Sequence, residues 1–148
     1  MVQAVNFRVP CVPVAQPRQR YRVVTTGNQA YTRNYTPVKH PVNAYKAAVQ
    51  LSWKQSGAGL FSGPVAVTLE FVFPRPQAMC WKRRATPRAW LAGGKDLDNL
   101  AKSTCDALTG LAWSNDSHVA KLVCSKFVAA GGETAGVEVT VQQLSASC

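Results

Sequence analysis

From Val65 the chain alternates. Val65, Val67, Leu69, Phe71 and Phe73 fall on one side of an extended segment and Ala66, Thr68, Glu70 and Val72 on the other, the two-residue period of a strand with one face in a core. Val5 to Val9, Val119 to Val128 and Val137 to Val141 repeat the pattern and predict further strands. Gly27-Asn28 has turn chemistry between Tyr21 to Thr25 and Ala30 to Thr32, which predicts a hairpin. Its flanks carry Arg22, Tyr31 and Arg33, a basic and aromatic set that fits a solvated surface or a DNA contact equally well. A period near 3.6 appears twice. Pro41 suits a first helical turn, and Ala44, Ala47, Ala48 and Leu51 follow at i, i+3, i+4 and i+7 as an apolar stripe, with Lys46, Gln50 and Lys54 on another face. Gly57 and Gly59 end that helix. Leu97, Leu100, Ala101, Thr104 and Leu108 form the stripe of a second helix, stopped at Gly110.

Two stretches follow neither period. Pro10, Pro13 and Pro17 hold an extended loop that leads into Arg18, Arg20 and Arg22. Residues 74–94 carry Arg75, Lys82, Arg83, Arg84 and Arg88 among Trp81, Trp90 and several prolines. Long irregular segments inside a small domain tend to be functional, and cations beside aromatic rings suit phosphates and unpaired bases. This segment is expected to be a partly mobile DNA-contacting loop, with Arg18, Arg20, Lys82, Arg83, Arg84, Arg88 and Lys95 as candidate DNA contacts.

Composition supports the same partner. Seventeen Lys and Arg against seven Asp and Glu give a net charge of +10, which attracts polyanions. A chain of 148 residues, 47% hydrophobic, fits one domain over 1–148 and needs no disulfide or structural zinc to hold its core. The five cysteines, Cys11, Cys80, Cys105, Cys124 and Cys148, are odd in number and form no Cys-x-x-Cys pair. Reduced thiols and a cytoplasmic location are expected. The start of the chain has no basic segment followed by an apolar run, and the most apolar stretch, Pro64 to Phe73, contains Glu70. Neither secretion nor membrane insertion is predicted.

The acids are few and clustered. Four of the seven lie between positions 96 and 116. Asp96 and Asp98 flank Leu97 where the second helix begins, and in extended chain two such positions project to the same side. An N-cap role would account for one of them only. Asp116 precedes the strand from Val119, which can run back beside the helix start and bring a third carboxylate. Asp106 lies eight residues beyond Asp98, about 12 Å along a helix at roughly 1.5 Å per residue, and reads as a partner of Lys102. Oxygen ligands of this kind suit Mg2+ or Mn2+. Lys102, one turn after Asp98, is positioned to orient a water or neutralise a phosphate. His40 and His118 are far apart and form no nucleophile motif. Glu70, the only acid in the first 95 positions, must pair with a cation or help hold one, because an unpaired carboxylate amid an apolar strand is costly.

Lys95-Asp96-Leu97-Asp98-Asn99-Leu100-Ala101-Lys102, then Asp106-Ala107-Leu108-Thr109-Gly110, then Asn115-Asp116-Ser117-His118-Val119 closely resembles the signature of the RusA family of Holliday junction resolvases. Phe7-Arg8-Val9, Tyr35-Thr36-Pro37 and Phe73-Pro74-Arg75-Pro76 extend the resemblance over nearly the whole chain. It implies a small homodimeric α+β domain with a mixed β-sheet and two main helices, which uses Mg2+ to cut four-way DNA junctions by paired nicks. By position, the family's essential aspartates fall on Asp96, Asp98 and Asp116, and its important lysine on Lys102. Many members have two adjacent aspartates where this chain has Asn115-Asp116, so Asn115 offers only a neutral oxygen. The competing expectations are a catalytically idle DNA-binding accessory protein of recombination and a nuclease for other branched DNA.

Overall fold

The computed structural model describes residues 3–17 and 20–145. The strand predicted from Val65, β4 (Val65–Phe73), is the middle of a five-stranded sheet. Its neighbours are β7 (Gly136–Gln143) on one side and β6 (Val119–Val128) on the other, with β1 (Ala4–Val9) and the short β5 (Ala89–Trp90) at the edges. The β4 to β6 pairing is parallel and the others are antiparallel. A parallel neighbour requires a crossover. Residues 74–118 supply it, and the crossover carries β5 and helix α2 (Leu97–Leu108).

Alternation along the strands sends Val65, Val67, Leu69 and Phe71 of β4 and Val137, Val139 and Val141 of β7 into one core. Helix α1 (Pro41–Gln55) and α2 cover this face, packing against each other over it. The buried stripe of α2 is the one its sequence predicts, with Leu100, Ala101, Thr104 and Leu108 buried and Leu97 partly so. The stripe of α1 is not. Val42, Tyr45, Val49 and Trp53 face the core, whereas Ala44, Ala47 and Leu51 are exposed. Two faces of this helix compete at helical spacing, and the one with the larger side chains removes more apolar area from water. Gln50 lies between the helices, where its Nε2 donates to the Ala107 carbonyl at 3.2 Å. The Tyr45 hydroxyl bonds Thr104 Oγ1 at 2.7 Å across the same interface.

The opposite sheet face carries polar residues. Arg8, Glu138 and Glu70 lie side by side in register across β1, β7 and β4. Arg88, just before β5, reaches over them. Its Nη2 lies 2.5 Å from Glu133 Oε2 and 3.2 Å from Glu138 Oε1, and its Nη1 is 3.6 Å from Glu70. Arg8 adds a 2.9 Å contact to Glu138. Glu70 thus pairs with a cation. Its carboxyl is pushed above the usual range, chiefly by hydrogen bonding with Glu138, and Glu138 is correspondingly lowered.

The basic segment 74–94 is tied to this framework. Arg75 donates to the Ala129 and Pro87 carbonyls at 2.6 and 2.8 Å, and the buried Thr86 accepts from the Trp81 amide through Oγ1 at 2.6 Å. The predicted hairpin forms from β2 (Arg20–Thr26) and β3 (Gln29–Tyr35) as a separate two-stranded sheet. Gly27, at φ 63°, occupies the first position of its two-residue turn, where a type II′ turn needs a positive φ.

Candidate active site

Asp96 is the N-cap residue of α2, but its side chain makes no capping hydrogen bond. Asp98 lies in the first turn. The helix begins between them, so the extended geometry that would send both the same way does not hold, and residues two apart on a helix do not face each other. Asp98 lines a hollow of about 390 Å³ between α2 and the start of β6. Asp96 borders a neighbouring hollow of about 470 Å³ with Lys95, Asn99, His40 and the Pro13 to Pro17 segment. That segment is held against α2 by Ser103 Oγ donating to the Val14 carbonyl at 2.6 Å and by the Gln16 amide donating to the Asn99 carbonyl at 3.0 Å.

Asp116 joins Asp98 in the first hollow, together with Lys102, Asp106, Cys105 and Leu122. It opens the short turn Asp116–His118 that leads directly into β6. Asn115 shapes that turn, its Oδ1 accepting from the Ser117 amide at 2.9 Å. That amide oxygen is therefore engaged as a cap. Lys102 Nζ lies 3.9 Å from Asp106 Oδ2, the i,i+4 pair the sequence predicts. Sequence reasoning set Asp106 apart by its distance along the helix axis; the structure puts it on the wall of the same hollow. Two full turns of α2 line that wall, and this was legible in the i, i+4, i+8 spacing of Asp98, Lys102 and Asp106.

Asp98, Asp106 and Asp116 are exposed, so their charge is hydrated and carries no folding burden. Burial pushes the Cys105 thiol up to about 12, which keeps it protonated and a poor nucleophile at neutral pH. The oxygen donors of the hollow are the carboxyl groups of Asp98, Asp106 and Asp116. Among the described residues no three His, Cys, Asp or Glu side chains converge closely enough to hold an ion by themselves. Asp98 and Asp116 line one hollow, and carboxylates are the ligand type of a small hard cation, which commonly takes one or two of them and completes its shell with water and substrate phosphate.

Of the other expected contacts, Lys82, Arg83, Arg84 and Lys95 are exposed, and the Arg84 guanidinium lies over the Trp81 ring at 4.1 Å. Arg88 is different. Its guanidinium is turned to three carboxylates and the Phe127 ring, which gives it a place in the fold where a phosphate contact was expected. Nothing in the local sequence marks it, because its partners Glu70, Glu133 and Glu138 come from distant segments. Arg18 lies outside the described residues, and Arg20 is described only as the first residue of β2. Among the described residues no helix is long and apolar enough to cross a membrane.

The chain is a basic α+β domain with a carboxylate-lined hollow beside a helix start. The family model for endodeoxyribonuclease RusA matches residues 10–142. The chain belongs to the RusA family, and with it to the endodeoxyribonucleases that resolve Holliday junctions in DNA recombination and repair. No curated protein matches it.

Proposed function

We propose that this chain cleaves four-way DNA junctions by divalent-metal-dependent phosphodiester hydrolysis, acting as a homodimer whose two sites nick symmetry-related strands. The observation that carries the reading is the hollow shared by Asp98, Asp116 and Lys102. In this reading Asp98 and Asp116 hold Mg2+ or Mn2+ in their shared hollow, and Asp96, uncommitted to capping and facing the neighbouring hollow, joins them when its side chain turns towards the bound ion. When bound, such an ion polarises the phosphoryl oxygens and lowers the pKa of a coordinated water. The chain's own groups do the rest. The positive end of α2 favours a phosphate at its first turn. Lys102, three-fifths exposed and lightly tethered by Asp106, can swing its ammonium to the scissile phosphate and offset the charge that develops there. Asp106 positions Lys102. Lys95, Lys82, Arg83 and Arg84 take phosphates of the flanking strands.

The test is cleavage of a synthetic four-way junction labelled on each strand in turn, with linear duplex as control, over a range of Mg2+ and Mn2+. Symmetric nicks in one opposed pair of strands, absent with chelator and on duplex, are expected. Tight junction binding without cleavage at any metal concentration would assign the chain to idle accessory proteins of recombination. Equal cleavage of flaps or forks would make it a nuclease of broader branched-DNA substrate.

A further inference from the structure

The β2–β3 hairpin stands apart from the five-stranded sheet and pairs only within itself. Val23, Tyr31 and Tyr35 are exposed, at 65%, 52% and 46%. Two-stranded ribbons of this kind have no core face to stabilise them and are marginal in water. Its register makes matters worse, because Arg22 lies directly opposite Arg33, and like charges at opposed positions of an antiparallel pair repel. Among the described residues neither arginine forms an ion pair. Glu70 is the first acid along the chain, so neither the strands of the ribbon nor the segments that flank them in sequence carry one. The pair Val24 with Tyr31, and then Tyr35 by the two-residue period, share the arginines' face. One face of the ribbon therefore carries two arginines and two tyrosines. The arrangement lowers the stability of the isolated ribbon, and an anion laid across it reverses that effect.

The ribbon also has a defined origin. The chain enters it after Pro17 and leaves it towards His40, and both residues line the hollow that Asp96 borders. Seven residues per strand give a ribbon roughly 23 Å long at about 3.3 to 3.4 Å per residue, and duplex DNA presents one phosphate charge per ~1.7 Å of axis.

We infer that the β2–β3 ribbon is an arm that lies along the sugar-phosphate backbone of a DNA duplex leaving the candidate active site, with Arg22 and Arg33 on phosphates and Tyr31 and Tyr35 packed beside them. The inference rests on the nuclease reading above and adds to it a clamp remote from the carboxylates. Because the arm touches backbone, its grip is independent of base sequence.

The experiment uses the full chain and the Arg22→Gln/Arg33→Gln double variant, with affinity for a four-way junction and for two duplexes of unrelated sequence measured over a range of salt. The slope of log K against log salt should flatten by about 1.8, at roughly 0.9 for each phosphate no longer neutralised, equally on both duplexes. The melting temperature should stay level or rise, since a repulsive pair has gone. An unchanged slope, in a wild type that binds and cuts junctions normally, overturns the arm and leaves the nuclease reading intact. A flattened slope accompanied by loss of dimer mass in sedimentation also overturns it, by assigning the ribbon to contact with a second copy. A wild type that binds neither junction nor duplex sinks the nuclease reading, and the arm with it.

Discussion

Replacing Arg88 with Met keeps most of the side-chain length while removing the charge that three glutamates share. The fork to Glu133, with Nε at 3.4 Å and Nη2 at 2.5 Å from the two carboxylate oxygens, is the strongest part of the cluster. Charge-assisted hydrogen bonds of this kind contribute about 1.5 to 3 kcal/mol when well formed. Arg88 and Glu133 are 27% and 22% exposed, which places the fork at the lower part of that range. The ion pairs to Glu138 at 3.2 Å and Glu70 at 3.6 Å are longer and their carboxylates more exposed, so each adds only about 0.2 to 1 kcal/mol. A loss of about 2 to 3 kcal/mol at neutral pH is expected. At roughly 2 to 4 °C per kcal/mol for a chain of this size, the melting temperature should fall by about 5 to 10 °C. Arg88 holds the Glu133 carboxyl below the usual range. The stability from that pair is therefore present above the ordinary glutamate pKa and disappears as pH falls through the lowered value. Glu70, raised chiefly by Glu138, works in the opposite sense, stabilising at low pH and losing that effect as pH rises. Removing Arg88 deletes the Glu133 contribution, so the gap between wild type and variant should be widest near pH 7 and shrink below about pH 4. Denaturant melts at both pH values measure it. A gap under about 0.5 kcal/mol at pH 7, together with a flatter salt dependence of DNA binding, would refute the structural role and return Arg88 to the DNA-contacting set.

Three further outcomes follow from packing and charge. Trp53→Ala should cost about 3 to 5 kcal/mol and Leu51→Ala stay within roughly 0.5 kcal/mol in chemical denaturation, because Trp53 is 2% exposed and Leu51 56%. Tyr45→Phe should cost about 1 kcal/mol by the same assay, a modest loss because the Thr104 hydroxyl it abandons still donates to the Leu100 carbonyl at 3.0 Å. Neutralising Lys82, Arg83 and Arg84 together should flatten the salt dependence of duplex binding by roughly 0.9 for each phosphate they had neutralised; an unchanged slope would return the segment to a plain linker.

Local periodicity carried much of this fold. β4 and α2 were legible because each offers a single apolar face at its own period, and the hairpin because Gly27 marks its turn. The buried face of α1 was not, since two faces recur at helical spacing and only the sheet beneath decides between them. The parallel pairing of β4 with β6 has no local signal at all. The candidate site divides in the same way. Spacing alone tied Lys102 to Asp106 and brought Asp116 back to the start of α2, but it placed Asp96 and Asp98 on one side by treating as extended a segment in which a helix already starts. The role of Arg88 escaped because long-range ion pairs leave no trace in neighbouring residues.

The proposed role of Asp98 and Asp116 in holding the ion that cuts DNA is tested by comparing Asp98→Asn, Asp116→Asn and Asp106→Asn in single-turnover cleavage of a four-way junction, with metal-free gel shifts alongside. Each substitution keeps the side-chain volume and deletes one charge. Cleavage by the first two should fall by orders of magnitude while metal-free binding persists or tightens, because a negative charge has left a surface that phosphates approach. Asp106→Asn should slow cleavage only mildly, through a less well held Lys102. Wild-type cleavage by Asp98→Asn, with Asp106→Asn inactive, would remove Asp98 from the metal site and put Asp106 in its place.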